Sequence, residues 1–139
     1  MKKILVTGAD GLLGSNLVRE LLKRGYQVRA FIQPGRKVNT LDGLAIERFE
    51  GDLLNKDSIT NALQGCHYLI HAAASTSIWP ARNRVVRKIN VEGTQNMAEC
   101  ARESNIERMV YVGTANSYGF GTKEKPGKEE NAYVAHKYN

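Results

Sequence analysis

Short apolar runs alternate with amphipathic segments along most of this chain. Ile4, Leu5 and Val6 form the first run, and glycines at 8, 11 and 14 follow at once. Leu13, Leu17, Leu21 and Leu22 then recur at helical spacing, with Arg19, Glu20, Lys23 and Arg24 on the opposite face. Gly25 is placed to end that helix as a cap. Residues 27–33 read as a second strand, broken by Pro34-Gly35, and residues 44–49 as a third. Asn55 or Asp57 can cap a short helix that turns Ile59, Ala62 and Leu63 inward and stops at Gly65. Residues 68–74 read as a buried strand running into alanines, and residues 108–112 as a fifth strand. Between them the pattern predicts a long helix over 81–104, with Pro80 at its start. The middle of that helix, Ile89-Asn90-Val91-Glu92-Gly93, is poor helical sequence, which points to a site contact or a close packing need. Past Phe120 the chain turns polar and glycine-rich, and reads as loop.

Strands that alternate with helices must run parallel, because each crossover is a helix and right-handed. The expectation is one α/β domain over 1–139, a doubly wound, Rossmann-type parallel sheet in three layers, αβα, with strand order 3-2-1-4-5. In such a fold a strand, a glycine turn and a helix in succession make a dinucleotide site. The turn has to be tight, the backbone has to approach a pyrophosphate, and the helix N-terminus offers its N–H groups to the phosphates.

Composition narrows the function classes. The chain has 139 residues, 42% hydrophobic and 24% charged, which is ordinary for a globular protein. Its apolar N-terminal run is far too short for a signal-peptide core or a membrane span. The net charge of +6 lies largely on Lys23-Arg24, Arg36-Lys37 and Arg82, Arg84, Arg87 and Lys88. No aromatic residues are interleaved there to stack bases, so solvated helix faces and an anionic small molecule are favoured over nucleic acid. Cys66 and Cys100 lack metal-type spacing and read as reduced, packed thiols of a cytoplasmic protein.

The spacing Thr7-Gly8-x-x-Gly11-x-x-Gly14 resembles the signature of the short-chain dehydrogenase/reductase superfamily. Further matches fall in order along the chain: Gly51-Asp52-Leu53, His71-Ala72-Ala73-Ala74, Asn90-Val91-Glu92-Gly93-Thr94 and the segment from Gly113-Thr114 to Gly119. Together they resemble the extended, epimerase/dehydratase-type branch, and Ser77-Ile78-Trp79-Pro80 resembles its dihydroflavonol-reductase-like members. The resemblance implies that Gly8, Gly11, Leu12, Leu13 and Gly14 hold the pyrophosphate. It also implies that Asp52 and Leu53 meet the adenine, and that Ala72, Ala73, Ala74 and Asn90 line the rest of the cofactor. The extended family adds later strands and a C-terminal substrate region, so the chain is expected to be the N-terminal, cofactor-binding portion of a longer enzyme. Pairing of two copies through the helix beginning near Ala81 is implied by resemblance alone.

The choice of cofactor rests on the end of the second strand. About twenty residues on from the turn lie Ile32 and Gln33, where NAD sites place an acid. Arg36 and Lys37 follow, within reach of a 2′-phosphate, so NADP is expected, with NAD as the alternative. For chemistry, the resemblance implies a Tyr-x-x-x-Lys pair and a Ser/Thr hydroxyl. Thr114 fits the hydroxyl role, and Tyr133 with Lys137 supplies the pair's spacing. A lysine ammonium favours the phenolate and draws an ordinary phenol pKa near 10 toward neutrality. His136 stands where the family usually has serine, so a pair beyond residue 139 is the alternative. The function expected is hydride transfer between NAD(P) and a carbonyl or secondary alcohol of a small molecule. The rivals are a nucleotide-sugar epimerase or dehydratase with bound NAD, and a non-catalytic NADP sensor.

Overall fold

The structure is a computed structural model that describes residues 1–77 and 83–133. Five strands, β1 (Lys3–Thr7), β2 (Gln27–Ile32), β3 (Glu47–Glu50), β4 (Tyr68–His71) and β5 (Arg108–Tyr111), form one sheet in the order β3-β2-β1-β4-β5. All four ladders are parallel, with Leu5 opposite both Arg29 and Leu69. The expected fold class and strand order are therefore those observed.

Alternation along β1 divides the core. Ile4 and Val6 pack with Val18 and Leu21 of α1 (Leu12–Lys23), with β2's Val28, Ala30 and Ile32, and with Leu41. Leu5 faces the other way, onto Ile59, Ala62 and Leu63 of α2 (Lys56–Leu63) and Met97, Cys100 and Ala101 of α4 (Thr94–Glu103). One helix thus covers one face and two cover the other, giving three layers. Both cysteines are free thiols.

Local chemistry places the helix ends. Gly25, at φ +80°, follows α1. Its N–H reaches the Leu22 carbonyl and that of Tyr26 the Leu21 carbonyl, a Schellman closure. At α2, the Asn55 side chain accepts from the Ser58 N–H at 3.0 Å, so Asn55 rather than Asp57 is the cap. The C-terminal end of α2 is met by buried Arg29, whose guanidinium donates to the carbonyls of Ala62 and Gln64 and pairs with Glu47 at 2.8 Å. A cation against the negative end of a helix is favourable there. Glu47 in turn is held below the usual carboxylate range, chiefly by its bond to Arg29.

β2 and β5 each end one residue earlier than expected, and three further boundaries differ more. β3 starts at Glu47 rather than 44, because Leu44 and Ile46 close turns beside the first core instead of entering the ladder. β4 ends at His71 and residues 72–77 leave the sheet, for the Ala73 N–H turns to the hydroxyl of Thr7. The helix expected over 81–104 is not uniform. It comprises α3 (Arg84–Arg87), a π-helical stretch Lys88–Gly93, and α4, while its expected start at Pro80 and Ala81 lies outside the described residues. The π turn has visible causes on both sides. The Asn90 side chain reaches across to Ser75, and a Cβ on Gly93 would lie 3.0 Å from that of Leu53. Extra turns of this kind recur where a helix meets a site. No helix among the described residues is long and apolar enough to cross a membrane.

Candidate functional site

A cleft of about 550 Å³ opens at the C-terminal ends of the parallel strands, where open α/β sheets bind ligands. Its floor is the turn between β1 and α1. Gly8 has φ +65°, and a Cβ on it would lie 2.8 Å from the backbone of Ala72 and Ala73. A Cβ on Gly14 would lie 2.0 Å from the Gly8 carbonyl oxygen. Neither position has room for a side chain, so the chain turns tightly and brings α1 end-on to the cleft. Gly11 caps α1 without a side-chain hydrogen bond, and the first turn holds no acidic residue. The first N–H groups of a helix have no partner within it, and with the dipole they form an anion site. Leu12 and Leu13 line the cleft beside them; Leu13 is exposed here rather than buried, as its spacing had suggested.

The remaining walls come from three other strand ends and the π turn. Phe31, Gln33 and Arg36 close the side after β2, and Gly51, Asp52 and Leu53 the side after β3. The Asp52 Oδ1 accepts from the Leu54 N–H at 2.9 Å, which shapes that turn. Ala72, Ala73, Ala74, Ser75 and Thr76 make the wall after β4, and Ile89 closes it from the π turn. Asn90 does not line the cleft. It clamps the wall, because its Oδ1 accepts from the Ser75 N–H at 2.7 Å and its Nδ2 donates to the Ser75 carbonyl at 3.0 Å.

A buried chain of side chains supports the same wall. His71 Nδ1 lies 2.7 Å from the Thr7 Oγ1, and its Nε2 3.0 Å from the Thr94 Oγ1. The Thr7 oxygen also accepts from the Ala73 N–H at 3.1 Å. In the tautomer in which the Thr7 hydroxyl donates to Nδ1 and Nε2–H donates to the Thr94 hydroxyl, a neutral imidazole satisfies both partners. Burial pushes its pKa down to about 4, so it stays neutral at physiological pH. Its ring stacks on Tyr111 with centroids 5.8 Å apart.

The structure therefore brings together Gly8, Gly11, Leu12, Leu13, Gly14, Arg36, Asp52, Leu53, Ala72, Ala73 and Ala74 in one cleft. Lys37 is exposed and stands outside the lining. Thr114, just after β5, and half-exposed Tyr133 are not in the lining either, and Lys137 lies outside the described residues. Sequence reasoning passed over Asp10, whose carboxylate pairs with Arg36 at 2.7 Å, and the Thr7–His71–Thr94 chain. Asp10 had a signal, as an acid inside the glycine turn; the histidine chain joins residues too far apart in sequence to have one.

The cleft fits a dinucleotide: its floor is backbone that a Cβ would fill, and the N-terminus of α1 opens into it. Comparison with known proteins agrees. Residues 4–138 match the model of the NAD dependent epimerase/dehydratase family. The chain is 45% identical over 115 residues to sterol demethylase protein B of Methylococcus capsulatus, covering 83% of this chain and 35% of that protein. It is 40% identical over 114 residues to a putative dihydroflavonol 4-reductase of Synechocystis sp., covering 82% and 33%. Among solved structures, gox2253 superposes with a TM-score of 0.88 at 31% identity, over 98% of this chain and 41% of that one. The chain thus spans about a third of the length of these sequence relatives.

Proposed function

The chain belongs to the NAD-dependent epimerase/dehydratase family, and from that premise we propose that it forms the cofactor-holding part of an NAD(P)-dependent oxidoreductase. The proposed reaction is hydride transfer to or from a carbonyl or secondary alcohol of a small molecule. The observation that carries this reading is the glycine floor, with no space for a Cβ at Gly8 or Gly14 and an α1 N-terminus free of acidic residues. The reductase named in the Synechocystis relative supports the direction of the chemistry.

The bound nicotinamide supplies or accepts the hydride. The residues of this chain do the rest. The α1 N–H groups take the pyrophosphate, and Asp52 accepts from the adenine amino group. Ala72, Ala73 and Ala74 leave the backbone open to the ribose and nicotinamide. Arg36 offers a cation for a 2′-phosphate, which makes NADP the preferred form. Thr114 donates a hydrogen bond to the substrate oxygen. Tyr133 exchanges a proton with that oxygen, and the Lys137 ammonium draws the phenol toward its ionised form.

The test is steady-state turnover in the full-length protein, with NADPH and a panel of prochiral ketones. Tyr133→Phe is expected to lower kcat by at least about 100-fold with NADPH binding retained, since the variant removes the acid–base group alone. Unchanged turnover would show that Tyr133 has no part in proton transfer.

A further inference from the structure

The ion pair at the mouth of the cleft carries a consequence for which dinucleotide enters. We infer that Asp10 and Arg36 together select at the 2′ position of the adenosine ribose, with Asp10 receiving a 2′-hydroxyl and Arg36 a 2′-phosphate, so that the protein takes both NAD(H) and NADP(H). This rests on the proposed dinucleotide site and adds Asp10 to it as a specificity-determining residue.

In a sheet of this type the adenosine ribose lies at the end of the second strand, beside the pyrophosphate turn. Here Gln33 and Arg36 occupy that end, and the first carboxylate after β2 is Asp42, which pairs with Arg48 and does not line the cleft. Asp10 reaches the same corner from the other side, from within the glycine turn, and also lines the cleft. Its carboxylate is largely enclosed, with 13% of the side chain exposed, whereas Arg36 is 59% exposed. The acid is therefore set in the wall and the guanidinium lies over it, toward solvent.

Backbone contacts hold this arrangement. The Thr40 hydroxyl donates to the Asp10 carbonyl at 3.1 Å, and Arg19 donates to the Thr40 carbonyl at 2.7 Å and to that of Ser15 at 2.9 Å. The loop that carries Arg36 is thus strapped to the glycine turn and to α1. Those bonds hold the two backbone segments together, and the Asp10–Arg36 pair itself is made by the side chains.

The chemistry of the two ligands then differs at one carboxylate. A 2′-hydroxyl can donate to Asp10, replacing the acid that NAD sites otherwise place after the second strand. A 2′-phosphate, a dianion near neutral pH, gains Arg36 but meets Asp10 behind it, a like charge within reach. An arginine alone would favour NADP strongly; an arginine already paired to a carboxylate moderates that preference.

Isothermal titration of the full-length protein with NADPH and NADH, and with adenosine 2′,5′-bisphosphate and AMP as fragments, tests the assignment. Asp10→Asn should raise the NADPH-to-NADH affinity ratio by about tenfold, and Arg36→Met should lower it by about tenfold. The fragment pair should move in the same directions. Asp10→Ser, a smaller replacement, should reproduce the first shift and so guard against an effect special to asparagine. A ratio within twofold of wild type in both Asp10 variants overturns the assignment. So does a loss of NADPH affinity matching that of Arg36→Met, which would make Asp10 only a support for the arginine. Wild-type protein that binds no dinucleotide overturns the cofactor site itself as well, whereas tight binding with an unmoved ratio overturns the selector alone.

Discussion

The ends of β1 and β5 face the same side of one sheet, yet they are built differently. β1 is central, paired on both sides, and its Ile4, Leu5, Val6 and Thr7 are all buried. β5 is an edge strand on which Val110 is 48% and Tyr111 57% exposed, while Met109 alone packs into the second core. The turn after β1 is determined by backbone contacts, because Gly8 and Gly14 leave no space for any side chain. The position directly after β5 has no such constraint: a Cβ on Gly113 would meet only the Tyr111 ring, at 3.4 Å. A turn that needs backbone proximity is fixed by a few glycines and the backbone they touch. A site that needs hydroxyl, phenol and ammonium from separate segments depends on whatever brings those segments together.

Truncations in the two strands should separate these regions most widely. Leu5→Ala removes a fully buried side chain and is expected to cost about 3 kcal/mol. Val110→Ala, in this chain, should cost less than about 0.5 kcal/mol. Urea unfolding of both variants checks the contrast, and similar losses would mean that β5 is covered as well as β1.

The histidine behind the β4 wall makes the comparison sensitive to pH. Its folded pKa of about 4 lies below the ordinary 6.5, so the unfolded chain binds the extra proton. The stability that neutral His71 contributes is complete above about pH 6.5 and is lost as the pH falls toward 4. At 1.36 kcal/mol per unit, the loss over that window is about 3 kcal/mol. Chemical denaturation at stepped pH should show this slope, and His71→Asn should flatten it. An unchanged slope in the variant would place the titrating group elsewhere.

Asn90→Ala is the smaller perturbation. It deletes two hydrogen bonds to Ser75 and is expected to cost about 1–2 kcal/mol, with weaker dinucleotide binding because the β4 wall loosens. Asn90→Asp keeps the acceptor but sets a carboxylate oxygen against the Ser75 carbonyl, so it should cost at least as much as Asn90→Ala. Thermal unfolding with and without NADPH distinguishes a loosened wall from a general loss of stability.

How much of this was readable in the residues follows the same division. The alternation of strands and helices, the glycine turn, a cap at Asn55 or Asp57 and the Gly25 closure were all legible, because each depends on local spacing or on one residue's backbone preference. Asn90 and Gly93 were marked as misfits in a helix, but not what they served: a clamp on Ser75 and a close approach to Leu53, both set by tertiary contact. Leu44 and Ile46 carry strand-like hydrophobicity yet pack beside the first core outside the ladder. Arg36 and Lys37 are adjacent and equally cationic, and only the fold shows that Arg36 lines the cleft and meets Asp10. The Thr7–His71–Thr94 chain draws on three segments and left no local trace.

If the β1–α1 turn is the dinucleotide site, fluorescence titration of NADPH into wild type, Gly14→Ala and Gly113→Ala will set the Gly14 variant apart from the other two. The Gly14 methyl has no space beside the Gly8 carbonyl, whereas the Gly113 methyl meets an ordinary contact. Saturable binding by wild type and Gly113→Ala, with a loss of at least about 100-fold in Gly14→Ala, is the predicted result. No binding by wild type, or equal binding by all three, would contradict it.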